Sequence, residues 1–247
     1  MKKFLTQVAL GAAALFSVGA ANAYVMDFDT NVDLTFAPFA PLLADGDAVL
    51  QGNFFANTQD VNNGGGLIAG LSNAADSGSC LNGVCPNNSQ GTFLSVLNDG
   101  IVHFGALDGS TVKLTSLAAA FIPSPGIPAG STVYLAVEGD RADGTFTSFY
   151  FPLSGSGAFQ TVDTTQGGIR LGGSGSLLDG VTDIFTYGYF CNGATGSCGA
   201  FKTDLAQYAL DNVTFSTPSV VPEPSEWMLM TLGLGAIAAM VRRRRSI

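Results

Sequence analysis

Residues Ser131-Thr-Val-Tyr-Leu-Ala-Val-Glu138 alternate with period two, which sets Val133, Leu135 and Val137 on one face of an extended strand. Thr145-Phe-Thr-Ser-Phe-Tyr-Phe151 follows in the same style. Between them GDRADG, Gly139 to Gly144, ends in Asp-Gly and reads as a hairpin loop. Similar stretches recur at Thr111–Leu117, where Val112 and Leu114 alternate with polar residues, at Val181–Phe190 after Asp179-Gly180, and at Ala206–Phe215. Turn signals return about every 8–12 residues and no long helical period interrupts them, so the body is expected to be an all-β sandwich or barrel. Asn57–Pro86, loaded with Asn, Gly and Ser, reads as a long surface loop with at most one short helical turn. Phe121–Gly130 is a proline-punctuated connection, and no internal repeat is visible.

Both ends are apolar, for different reasons. Lys2 and Lys3, the uncharged run Phe4–Val18 and the small-x-small site Ala21-Asn22-Ala23 have the three parts of a secretory signal peptide. The expected organisation is a signal helix over residues 1–23, a body over 24–217 and a tail over 218–247. In the tail, Trp227–Val241 has no charged side chain, and as a helix it covers about 22 Å. That is short for a hydrocarbon core of about 30 Å. Trp227 at the interface and snorkelling Arg242, Arg243, Arg244 and Arg245 extend it into a transmembrane helix. The arginines stay in the cytoplasm, which leaves the body outside.

Pro222-Glu223-Pro224, the apolar run and the arginine cluster together resemble the PEP-CTERM sorting signal over Val221–Ile247. The resemblance implies processing near Pro222, Glu223 and Pro224 by a membrane exosortase. It also implies a Gram-negative, exopolysaccharide-producing source and delivery to the cell surface or extracellular matrix. Gln207-Tyr208-x-x-Asp211 is similar to a closing strand that marks one subgroup of these proteins. A plain C-terminal anchor is the alternative, and it places the body outside as well.

The body holds seventeen acidic side chains against four basic ones (Lys113, Arg141, Arg170 and Lys202), a net charge of −13. A nucleic-acid partner held through a basic face is thereby excluded, while a cation or a neutral polymer fits. The four cysteines, Cys80, Cys85, Cys191 and Cys198, allow three pairings in an exported chain. Local pairing is expected, since each close pair flanks a loop that closes easily, and the spacing suits zinc poorly. His103, the only histidine, sits in a strand-like setting and reads as a half-exposed strand residue. Hydrolase, metalloprotease and nucleotide-binding motifs are absent, so no catalytic residue is assigned.

An N-terminal aromatic and acidic strand, a middle hairpin at Val137–Gly144 and the closing LDN strand loosely resemble jelly-roll carbohydrate-binding modules. The resemblance implies a jelly-roll-like antiparallel β-sandwich. It also implies a structural calcium held by Asp27, Asp29 and Asp211, the one cofactor proposed. The functional expectation is a non-catalytic surface or matrix protein associated with exopolysaccharide. The alternatives are a lectin-like carbohydrate-binding module and, further off, a surface glycoside hydrolase, whose acid pair cannot be read from sequence. The body has no tryptophan to stack on sugar. Tyr134, Tyr150, Tyr187, Tyr189 and Tyr208 are the remaining aromatic candidates, and their alternate strand positions are expected to bury them in the core.

Overall fold

The computed structural model describes residues 23–61, 66–80, 83–97, 100–173 and 178–216. The expected signal segment up to residue 22 and the expected sorting tail, with Pro222–Pro224, the run 227–241 and the arginines, lie outside the described residues.

Among the described residues sixteen strands form two antiparallel sheets. The seven-stranded sheet contains β1 (Ala23–Met26), β3 (Leu42–Ala44), β6 (Leu67–Asn73), β7 (Thr92–Val96), β9 (Lys113–Phe121), β12 (Gln160–Asp163) and β16 (Tyr208–Ser216). The nine-stranded sheet contains β2 (Val32–Phe36), β4 (Ala48–Gln51), β5 (Phe54–Gln59), β8 (Ile101–Ala106), β10 (Thr132–Asp140), β11 (Phe146–Pro152), β13 (Ile169–Gly173), β14 (Asp183–Cys191) and β15 (Cys198–Gly199). The smaller sheet runs β12-β9-β16-β7-β6-β3, and β1 pairs with β16. The larger runs β13-β11-β10-β14-β8-β5-β4-β2, and β15 pairs with β14. First and last strands are thus neighbours, Met26 facing Val213, as a jelly-roll-like sandwich requires.

Period-two alternation builds the core. Val133, Leu135 and Val137 of β10 are buried between the sheets, as are Val112, just before β9, and Leu114 at its start. Phe215 of β16 crosses the interface and stacks on Phe54 of β5, with ring centroids 4.6 Å apart. Tyr208 of β16 is also buried, and its hydroxyl donates to Thr186 O at 2.8 Å. The β10–β11 hairpin closes as expected: Arg141 N–H donates to Thr145 O at 2.9 Å, and Gly144 takes φ 80°, open to glycine at little strain.

Asn57–Pro86 departs from the expected loop. Its first residues extend β5, and Leu67–Asn73 forms β6, paired with β3 and β7. The alternation is hidden there because Ile68, Ala69 and Gly70 are all buried. Small residues let both faces of a strand be covered. One 3₁₀ turn, Ser77–Ser79, follows.

Both disulfides are local, Cys80–Cys85 and Cys191–Cys198. The first does more than close a loop. Cys80 packs with Phe93, Ala120, Ile122 and Ala209 in a second apolar cluster, with Cys85 and Phe159 against it. Phe93, Ala120 and Ala209 lie on the outer face of β7, β9 and β16, so Cys80 and Cys85 cover the middle of that face. The main core and this satellite both lie within one compact unit, Ala23–Pro218, which is separate from the two ends and can therefore be taken as a folding unit of its own.

Many of the acids serve the turns. Asp33, Asp143 and Asp163 each accept the N–H and hydroxyl of the threonine two residues on, and Asp108 accepts the Ser110 N–H. Those side-chain hydroxyls, followed by the backbone bonds, hold the four carboxyls below the usual range.

Candidate functional site

The outer face of the nine-stranded sheet is unlike the covered outer face of its partner. Register places Tyr134 opposite Tyr189, and Ala136 between Tyr150 and Tyr187. Because alternate residues point to opposite faces, these tyrosines share the side away from the core. Tyr150 and Tyr189 have centroids 4.2 Å apart, and Tyr134 lies 5.9 Å from Tyr150 and 6.5 Å from Tyr189. Tyr187 adds Phe201 at 5.1 Å. All four tyrosines are half-buried against one another and keep a solvent-facing side. Burial, then the nearby Tyr189 hydroxyl, holds the Tyr150 phenol well above its ordinary pKa, so it stays a neutral hydroxyl at working pH.

The expectation that these tyrosines fill the core therefore holds for Tyr208 alone. The period was read correctly; the face was not. A sheet with aromatics on both sides gives each strand two apolar sets, and sequence cannot say which set looks inward.

A polar row continues along the same face. Glu138 lies opposite Ser148 and Phe185, Asp140 opposite Asp183, and His103 of β8 opposite Phe185. His103 Nε2 lies 2.8 Å from Asp183 Oδ1, and its ring stacks on Phe185 at 4.6 Å with Phe55 edge-on at 5.0 Å. It is a strand residue, as the sequence suggested, but its side chain is mostly buried, 17% exposed, rather than half-exposed. Burial raises the carboxyl pKa of Glu138, and Asp140 adds to the rise. Burial raises that of Asp140 as well, with Asp183 adding and His103 opposing. Ser148, Asp140 and Asp183 carried no sequence signal, because only cross-strand register brings them to Glu138.

The sequence-predicted acids gather elsewhere, where β16 changes neighbours. β7 pairs with Tyr208–Leu210 and β1 with Val213–Ser216, and an irregularity at Asp211–Thr214 separates the two. Asp211, 7% exposed, accepts the Asn212 N–H at 2.7 Å. It lines a surface hollow of about 400 Å³ together with Asp29, Asn88, Gln90 and Gly91. Asp27 caps the β1–β2 turn, accepting the Asp29 N–H at 3.0 Å and a bond from the buried Gln51 amide, while Asp29 accepts the Thr92 N–H. Gln51 was missed in the sequence; it also donates to Thr30 O at 2.7 Å and accepts the Phe28 N–H at 3.1 Å, fixing the turn. Burial works against the charge of Asp27, but the Gln51 amide and the turn N–H groups outweigh it and hold its pKa low.

Burial pushes Asp211 up to about 7; the Asn212 N–H opposes this, and the charges of Asp29 and Asp27 add to it. Among the described residues no group of three or more acidic, histidine or cysteine side chains converges closely enough to hold a metal ion. The raised pKa has a consequence for stability. A carboxyl whose folded pKa exceeds its unfolded value, about 3.9, carries no penalty below about pH 4 and destabilises progressively as pH rises toward 7. Asp211→Asn keeps the acceptor oxygen and cannot ionise. In EDTA it should raise the melting temperature by several degrees at pH 8 and leave it unchanged at pH 4, read by calorimetry (an effect of ~1–2 kcal/mol).

No protein-family model matches the chain, and no curated protein matches it. Among solved structures it is similar to a family 11 carbohydrate-binding module from Clostridium thermocellum, in complex with a beta-1,3-1,4-mixed-linked tetrasaccharide. Identity is 11%, the match covers 81% of this chain and 98% of that one, and the TM-score is 0.36. The strand order described above, rather than this likeness, defines the fold.

Proposed function

We propose that this chain is an exported, non-catalytic protein that binds polysaccharide at the cell surface or in the extracellular matrix through the outer face of its nine-stranded sheet. The observation that carries the reading is the group of Tyr134, Tyr150 and Tyr189, gathered beside Tyr187 and Phe201 with solvent-facing rings. Rings of this kind offer an apolar face for stacking and a hydroxyl for orientation. The polar row beside them supplies acceptors for ligand hydroxyls. The test is affinity electrophoresis of residues 24–217 through gels containing polysaccharide from the producing cells. Retardation supports the reading, and free migration through every polymer overturns it.

Delivery is assigned to the tail: an exosortase recognises Pro222-Glu223-Pro224 while the 227–241 helix and Arg242–Arg245 hold the chain across the membrane. Replacing all three motif residues by alanine should leave the full chain in the membrane fraction of an exosortase-bearing host, whereas the unaltered chain loses its tail. Equal release of both overturns the assignment.

A structural calcium beside Asp211, with Asp27 and Asp29, is a second proposal, supported by the Asp211 carboxyl, which burial pushes up to about 7 with the charges of Asp29 and Asp27 adding. Calcium should raise the melting temperature of the EDTA-stripped body at pH 8 and leave Asp211→Asn unmoved. An unmoved native body would remove calcium from the account.

A further inference from the structure

We infer that the polysaccharide bound on this face carries free amines, as a deacetylated hexosamine polymer does, its rings on the tyrosines and its ammonium groups against Glu138, Asp140 and Asp183. This rests on the platform reading above and deepens it.

Position comes first. Along β10, Tyr134, Ala136, Glu138 and Asp140 point the same way as Tyr150 of β11 and Tyr187 and Tyr189 of β14. Tyr134 and Glu138 are about 13 Å apart along the strand, at about 3.3 Å per residue. A chain lying on the tyrosines thus reaches the carboxylates within a few sugar rings.

Next come two buried polar atoms without a partner. Ser148 is 2% exposed, and its Oγ lies beside the Glu138 carboxyl and the Tyr187 hydroxyl without a hydrogen bond of normal geometry to either. Asp140 Oδ1 is likewise buried and unpartnered. Native proteins leave few buried polar atoms unmatched, and an ionised carboxylate can only accept. Glu138, Asp140 and Asp183 are each half-buried, and as carboxylates they only accept, so a ligand group resting on this row has to donate; an ammonium offers three donors from one atom.

Charge then separates an ammonium from a hydroxyl. Three carboxyls line the row; His103 lies against Asp183 and also acts on Asp140, and Thr182 Oγ1 donates to the other Asp183 oxygen at 2.8 Å. Arg141 is directed to Thr147 Oγ1 at 3.0 Å and Asp179 O at 3.3 Å, and Lys113 to Asp179 at 3.4 Å. A uronic-acid polymer would set like charge against this row, and a neutral glucan would leave its charge unanswered. An ammonium answers it and also gains from the negative faces of the adjoining tyrosines.

The test is calorimetric titration of residues 24–217 with tetrasaccharides of equal length at about 150 mM salt, where long-range attraction is screened. The probes are fully deacetylated glucosamine, N-acetylglucosamine, a neutral glucan and a uronate. The glucosamine tetramer should bind about tenfold more tightly than either neutral probe, and the uronate should bind least. Glu138→Gln, alone or with Asp140→Asn, should bring glucosamine to the neutral level without abolishing binding. Asp76→Asn removes one charge on the β6–β7 connection, and asparagine retains the capping capacity of the residue it replaces; it should leave the preference intact. Equal affinity for the glucosamine and neutral probes overturns the amine inference while the platform stands. A preference surviving in Glu138→Gln/Asp140→Asn, or lost in Asp76→Asn, assigns it to bulk charge and overturns the inference too. Binding to none of the probes removes the platform reading, and this inference with it.

Discussion

Replacing Tyr150 by alanine is expected to weaken binding of residues 24–217 to their polysaccharide about tenfold or more, with the melting temperature nearly unchanged. Tyr150 sits at the middle of the aromatic group, 4.2 Å from Tyr189 and 5.9 Å from Tyr134. Removing it takes away a stacking face and leaves the remaining rings free to lean into the gap. Buried aromatic anchors at the centre of a binding surface commonly contribute ~2 kcal/mol or more, which is over tenfold in affinity. Stability should hold, because the ring packs on the outer face and not between the sheets. Tyr150→Phe keeps the ring and should lose only a few-fold. Tyr189→Ala should match Tyr150→Ala, while Phe39→Ala, which removes a ring 70% exposed at the far edge, should do nothing. Unaltered affinity in both Tyr150→Ala and Tyr189→Ala would move the binding surface elsewhere.

The largest stability effect is expected at Phe215. Its side chain is fully buried, stacked on Phe54 and 6.1 Å from Phe104, so it joins β16 to β5 and β8 of the opposite sheet. Phe54 in turn stacks on Tyr24 at 4.8 Å, extending the column to β1. Phe215→Ala should destabilise by ~3–5 kcal/mol, the usual range for a large aromatic cavity. For a domain of this size that lowers the melting temperature by about 10 °C. Phe215→Leu fills most of the space and should recover more than half of the loss. A drop of only a degree or two in Phe215→Ala would mean that the sheets close over the cavity and that the column is not a keystone.

Much of the fold was legible because local pattern and global architecture agree. Val133, Leu135 and Val137 alternate, and they are core; GDRADG looks like a turn, and it is one. Close cysteine pairs bridge locally. Leu67–Asn73 failed the same test because Ala69 and Gly70 hide the alternation beneath two covered faces. The candidate platform was harder still. Tyr134, Tyr150 and Tyr189 were visible as strand aromatics, yet only the pairing of β10 with both β11 and β14 makes them neighbours. Ser148 had no feature of its own and gains interest solely from standing opposite Glu138. The acids divided in a way composition conceals: Asp33, Asp108, Asp143 and Asp163 are occupied in turns, whereas Glu138, Asp140 and Asp183 face outward together.

The flap closed by Cys80–Cys85 has a consequence for valency. It lies over the middle strands of the smaller sheet, which leaves one broad open sheet face among the described residues. On the proposed reading a single copy is then univalent: it would coat a polymer strand or ride along it without tying two strands together. Gelation of a matrix by such a protein would demand pairing of its copies, so under this proposal its oligomeric state decides whether it decorates a polymer network or holds it together.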